Sequence, residues 1–185
     1  MVHGEQGQAA TMSHIHSFSP LAAPDATCLL LGSMPGKASL AAQQYYAHPR
    51  NAFWPLLTQL LALPTALAYA DRCKALLHHR IAVWDVLHTC TRASSLDSDI
   101  DTNSIVPNDF AEFFAAHPAI HTVFFNGVAA ATIYRRHVLP TLPESSAALP
   151  RIQLPSTSPA HAALDFGQKL ALWTPLVTAS GGATC

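Results

Sequence analysis

The chain reads as an α/β protein: a single three-layer domain in which a mainly parallel, four-stranded central sheet is flanked by helices. Three observations predict it. Four short apolar or β-rich stretches, at residues 26–31, 81–84, 121–125 and 151–154, have the length of buried strands. Between them the apolar spacing changes to the i, i+3, i+4 pattern of helices. Each stretch then runs into turn-forming or polar residues, as expected where the loops of an open parallel sheet gather at one end.

The composition agrees with one substantial core, since half of the 185 residues are hydrophobic. Only 11% are charged and the net charge is −1, so the chain has no global basic footprint and is not a protein that coats nucleic acid by bulk electrostatics. A local basic patch is still available from Lys37, Arg50 and Arg92. Residues 1–13 read as a flexible tail, 14–179 as the domain and 180–185 as a C-terminal tail. The tail has no apolar core of the signal-peptide kind and no run has the length of a membrane span, which predicts a cytoplasmic protein without a membrane partner.

Pro20 and Pro24 mark the approach to the first strand, Thr27-Cys28-Leu29-Leu30-Leu31. A long polar and aromatic loop follows, from Gly32 to Trp54, and loops of that length are usually functional. Gly32 and Gly36 bracket a turn that Pro35 stiffens. Tyr45 and Tyr46 offer flat faces for a base, Arg50 a phosphate contact, and His48 and Asn51 hydrogen-bonding groups. Asn51 can equally serve as the cap of the next helix, in which Phe53, Leu56, Leu57, Leu60 and Leu61 share one face before Pro64 ends it.

A second helix is expected at 65–79, then the strand Ile81-Ala82-Val83-Trp84 closed by Asp85. A carboxylate at the C-terminal end of a parallel strand sits where open sheets bind ligands, although Asp85 could equally be a cap or turn former. Residues 89–108 read as a surface connection in which Arg92 is solvated or reaches a phosphate. Asp109-x-x-Glu112 caps a short helix, and a third strand ends at Asn126-Gly127 ahead of a helix at 128–136. After the strand Arg151-Ile152-Gln153-Leu154, Ser158-Pro159 has the form of a helix start, with Ser as cap and Pro at the first position. Its free amides could hold a phosphate. The last helix carries Leu164, Leu170 and Trp173.

Metal chemistry is not expected. Cys28, Cys73, Cys90 and Cys185 form no Cys-x-x-Cys pair, and Pro118 breaks the helical spacing of His117 and His121. That predicts a reduced protein with no metal, iron–sulfur cluster or other cofactor.

Gly-Ser-Met-Pro-Gly at 32–36, the tyrosine pair, His48-Pro49-Arg50-Asn51 and Phe53-Trp54 together resemble the DNA-deoxyinosine (hypoxanthine-DNA) glycosylase branch of the uracil-DNA glycosylase superfamily. The resemblance continues through Trp84-Asp85-Val86-Leu87, Ser95-Leu96-Asp97-Ser98, Phe124-Phe125-Asn126-Gly127 and Ser156-Thr157-Ser158-Pro159-Ala160. It implies the superfamily's layered fold and an enzyme that rotates a deaminated base out of DNA and hydrolyses its N-glycosidic bond. Hypoxanthine is the implied base, with uracil or a broader range of deaminated bases as one alternative and a free nucleoside or nucleotide as the other. Relatives carry Asp or Asn at the third position of the Gly-x-x-Pro turn, where this chain has Met34, so the water-positioning role passes to Asn51, with Asn126 as a second catalytic candidate. Ser33, Met34, Tyr46, His48, Phe53 and Asp85 are then expected around the base, and Lys37, Arg50, Ser156 and Ser158 along the DNA backbone. An amide of Asn126 or Asn51 aimed at the 6-oxo group would reject adenine. With three lysines and only Lys37 near the loop, a monofunctional, monomeric glycosylase is expected rather than a lyase.

Overall fold

In a computed structural model the described residues are 12–181, which places the expected N-terminal tail largely outside them. The elements run β1 (Ser13–His16), β2 (Cys28–Gly32), α1 (Lys37–Ala42), α2 (Phe53–Leu60), α3 (Tyr69–His78), β3 (Ile81–Asp85), β4 (Leu87–Arg92), β5 (Val106–Pro107) and α4 (Phe110–Ala116). They continue with β6 (Thr122–Asn126), α5 (Val128–Ile133), α6 (Glu144–Ala147), β7 (Arg151–Leu154) and α7 (Phe166–Ala179). The central sheet has the order β3-β2-β6-β7 and all of its pairings are parallel.

Strand alternation divides the core into two layers. Cys28 and Leu30 of β2 point with Ile81, Val83 and Phe124 toward Phe53, Leu56 and Leu57 of α2 and Trp173 and Leu176 of α7. Leu29 and Leu31 point the other way, with Ala82, Trp84, Val123 and Phe125, toward Phe110, Phe113 and Phe114 of α4 and Tyr134 beyond α5. Covered on both faces, β2 is buried at all five positions, which is why it reads as an unbroken apolar run. One ion pair joins side chains among the described residues, the exposed Lys74–Asp71 contact at 3.0 Å within α3. No described helix is long and apolar enough to cross a membrane.

Several expectations need correction. The loop at 32–54 contains α1, and the helix expected from 65 begins only at Tyr69. Residues 89–108 are not a plain surface connection: β4 pairs antiparallel with β1 and β5 in a second, three-stranded sheet. Leu87 and Cys90 bury that strand against Met34 and Ile100. Ser13 therefore belongs to a strand rather than to a tail. The helix after Asn126-Gly127 is α-helical only to Ile133 and widens into a π turn over Tyr134–Val138.

Ser158-Pro159 starts no helix. Ser158 Oγ instead accepts the Ala160 N–H at 3.2 Å in a local turn, and α7 begins later, at Phe166. Its start is a full capping box, with Asp165 Oδ1 accepting from Gln168 N and Gln168 Oε1 accepting from Asp165 N. Replacing Asp165 by Ala should cost about 1 kcal/mol and lower the melting temperature by a few degrees, read by thermal denaturation. The Asp109 cap is present as expected, its carboxylate accepting the Glu112 N–H at 2.9 Å.

Candidate active site

Parallel strands of matched register bring their C-terminal ends together, and here Gly32 pairs with Asp85 and Asn126 with Leu154. Above these ends lies a cleft of about 330 Å³. Its walls are the 32–36 turn, Tyr46, His48, Asn51, Asp85, 95–97, Asn126 and 156–160. The volume is at the lower end of the range of small-molecule sites, which begins near ~300 Å³.

The floor explains Gly32. A Cβ there would stand 2.7 Å from Asp85 Oδ1 and 2.8 Å from the Tyr46 hydroxyl, so only glycine lets both side chains lie over the end of β2. Tyr46 itself has φ 54°, in the left-handed region, which turns its ring back over α2. There it stacks face to face on Phe53, centroids 3.7 Å apart and planes 14° from parallel. Phe53, expected at the cleft surface, is fully buried and lies outside the cleft lining, behind Tyr46. Tyr46 leaves its other side to the cleft. Its hydroxyl is buried beside the Asn126 side chain and makes no hydrogen bond of good geometry.

Met34 is 6% exposed, and its side chain anchors the turn among Leu87, Cys90 and Ile100. Neither a solvated nor a phosphate-binding Arg92 is found: it is buried, and its guanidinium donates to the Pro35 carbonyl, so it holds the 32–36 turn from below. The basic patch loses that member. Ser33 Oγ donates to Asp97 Oδ1 at 2.5 Å, and the Lys37 ammonium donates to the Ala93 carbonyl at 3.1 Å. Arg50 is exposed and does not line the cleft.

The two asparagines differ in what they leave free. Asn126 is committed at both ends of its amide, Nδ2 donating to Thr157 Oγ1 at 2.8 Å and Oδ1 accepting the Thr157 N–H at 2.9 Å. Asn51 accepts the Phe53 N–H on Oδ1 at 3.0 Å, so it does serve the first turn of α2, while Ala52 is the formal cap residue. Its Nδ2 enters none of the described hydrogen bonds. The Thr157 carbonyl also accepts the Ala52 N–H at 3.0 Å, which ties the Asn51 loop to the 156–158 loop. Thr157 thus organises both loops, a role that no local pattern signals. His48 Nδ1 accepts the Arg50 N–H at 3.1 Å, so in the neutral ring the proton is on Nε2. Ser156 Oγ accepts the Ser158 N–H, which leaves both serines shaping their loop.

Burial dominates the electrostatics. Asp85 is 3% exposed, its Oδ2 has no partner, and its pKa is pushed up from 3.8 to about 7 by desolvation, against the pull of Arg92 and with a further push from Asp97. Asp97 is also raised by desolvation, opposed by Ser33 and Arg92. Arg92 is lowered by its burial. Among the described residues, no three His, Cys, Asp or Glu side chains come together as a metal site would require.

The α/β fold with its parallel central sheet agrees with what the chain is similar to. The profile of the uracil DNA glycosylase superfamily matches residues 19–175, and the chain belongs to that superfamily. Among curated proteins, it is 38% identical over 100 residues to the hypoxanthine DNA glycosylase of Methanosarcina acetivorans, covering 54% of this chain and 62% of that one. It is 34% identical over 111 residues to the hypoxanthine DNA glycosylase of Methanosarcina barkeri, covering 60% of this chain and 69% of the relative. The chain therefore spans less than two-thirds of the length of the first of these relatives. A Methanosarcina acetivorans protein solved by solution NMR, named as a candidate uracil DNA glycosylase, superimposes with a TM-score of 0.71. The two are 28% identical, with 89% of this chain and 99% of that chain covered.

Proposed function

We propose that the protein is a monofunctional DNA glycosylase that removes a deaminated base, hypoxanthine from deoxyinosine first among them, and leaves an abasic site. The observation that carries this reading is the pairing of Tyr46, backed by Phe53, with the free Nδ2 of Asn51 across a cleft sized for one base. The curated relatives' names favour hypoxanthine. As the glycosidic bond breaks, positive charge grows on the sugar and negative charge on the base. The Tyr46 ring, fixed by its stack on Phe53, forms a rigid wall of the base site, and the Asn51 amide orients water at the sugar. Asn126, with its amide closed on Thr157, holds the loop and does not touch the reacting atoms.

The absence of lyase chemistry is supported by Lys37, which lines the cleft, and by Lys169, which lies outside that lining. Lys37 donates to a backbone carbonyl, and Lys169 is buried and bonded to the His161 carbonyl. Incubating labelled duplex containing deoxyinosine, then cleaving with alkali, should give a strand break that appears only after the alkali step. Cleavage of free deoxyinosine with no action on duplex would replace the DNA glycosylase by a nucleoside hydrolase. Because Arg92 is sequestered, binding to duplex should weaken with salt by a shallow slope, equivalent to about two or three released counterions. Titration of fluorescent duplex between 50 and 200 mM salt, roughly the range over which such slopes are read, checks it, and a slope near zero would favour the free nucleoside.

A further inference from the structure

Two side chains that line the cleft carry buried polar atoms without a partner, and their groups are chemically opposite. The Tyr46 hydroxyl is a donor once its proton turns outward, and an ionised Asp85 carboxylate is only an acceptor. Asp85 Oδ1, on the same carboxyl as the unpartnered Oδ2, and the Tyr46 hydroxyl lie 2.7 and 2.8 Å from where a Cβ on Gly32 would stand, so the two groups are neighbours on one patch of the floor. A buried polar group without a partner is costly, and two side by side in a concave site point to a ligand that satisfies both. Of the asparagine amides expected to read the 6-oxo group, Asn126 is held at both ends by Thr157, and the free NH₂ of Asn51 is the group assigned above to the water.

We propose that Tyr46 and Asp85 together read the lactam edge of the flipped base, the phenol donating to the ring carbonyl and the carboxylate accepting from the adjacent ring N–H. This deepens the proposed function and rests on it. Hypoxanthine presents that edge as C6=O and N1–H, and uracil as C4=O and N3–H. Adenine and cytosine present the reverse, an amino donor beside a bare ring nitrogen, so each would place donor against donor and acceptor against acceptor. Deamination converts the second pattern into the first. The pair therefore recognises the chemical change that defines the lesion. Guanine and thymine carry the same edge as the lesions, so their exclusion falls on the walls around the purine 2-amino and pyrimidine 5-methyl positions.

The acceptor role requires Asp85 ionised, which burial and the Asp97 carboxylate oppose and the Arg92 guanidinium favours, while the Tyr45 and Tyr46 hydroxyls facing it stay neutral because burial and the Asp85 charge raise them. Its pKa near 7 puts this within the working range. The test uses wild type, Asp85→Asn and Tyr46→Phe, each changing one functional group at nearly constant shape, with folding checked by melting temperature. Single-turnover release is measured on duplexes containing deoxyinosine or deoxyadenosine across neutral pH. Wild-type release of hypoxanthine should rise through neutrality, and Asp85→Asn should flatten that rise. Because an amide can turn its NH₂ toward adenine N1, Asp85→Asn should also cut the preference for hypoxanthine over adenine at least about tenfold. Tyr46→Phe should keep the stack on Phe53 and slow hypoxanthine release about 10- to 100-fold. An Asp85→Asn protein with the wild-type pH profile and the wild-type preference would overturn the proposal. If wild type releases no base from any duplex, the glycosylase reading fails separately, and binding of the two intact duplexes decides the lactam pair: a preference for deoxyinosine that Asp85→Asn loses sustains it, and equal binding by wild type overturns it.

Discussion

Asn51→Ala should lower single-turnover base release about 100-fold or more, the scale of losing one donor that acts in the transition state. The side chain has a second task, because Oδ1 accepts the Phe53 N–H at the start of α2. The same substitution should therefore also cost about 1 kcal/mol of stability, as other lost helix-start acceptors do. Asn51→Asp separates the two tasks: it keeps the acceptor for Phe53 and replaces the Nδ2 donor by a charged acceptor. A protein that melts like wild type yet has lost most of its rate would assign the chemistry to that NH₂ group. Full activity in a folded Asn51→Ala protein would remove the residue from the mechanism.

Asp85 should make the folded protein less stable as the pH rises. Its folded-state pKa is about 7, against 3.8 for the free side chain, so the folded protein holds the proton that the unfolded chain releases. Stability from this group is complete below about pH 4, declines as the pH climbs toward 7 and levels off above it. A tenfold change in proton affinity is worth about 1.4 kcal/mol, so the loss is on the order of 2–4 kcal/mol. Asp85→Asn has no such slope, and its stability relative to wild type should grow between pH 5 and 8 in denaturant titrations, roughly the interval bracketing this transition. A constant difference across that interval would mean that the carboxyl ionises as freely in the folded state as in the unfolded one. A residue that destabilises its own fold at working pH is usually retained for what it binds.

The central sheet was legible because strands buried on both faces must be apolar at every position, and Cys28 to Leu31, Val83 and Phe124 are. From the strands the location of the cleft followed, since loops of parallel strands meet at one end. The second sheet was not legible. Its strands β1 and β4 read Ser-His-Ile-His and Leu-His-Thr-Cys-Thr-Arg, and what buries them is the 32–36 turn and Ile100, partners remote in sequence. Arg92 shows the same limit, since an arginine bonded to a turn carbonyl 57 residues away has no local mark. Likewise, the Asn126–Thr157 pair spans 31 residues. Phe53 and Tyr46 were both assigned to the base by the resemblance, and a sequence motif does not show which of two rings lies outermost. Ser158-Pro159 misled because a serine turn and a helix cap use the same oxygen and the same kind of amide.

The exposed Lys74–Asp71 contact is the one ion pair found among the described residues, and such i, i+3 pairs contribute only a few tenths of a kcal/mol. Dispersion and desolvation in the two aromatic and leucine layers do the holding, and dissolved ions barely touch either. Grip on a polyanion obeys the opposite rule. The molecule should thus come off its track in concentrated electrolyte as an intact body, ready to re-engage on dilution without any refolding step.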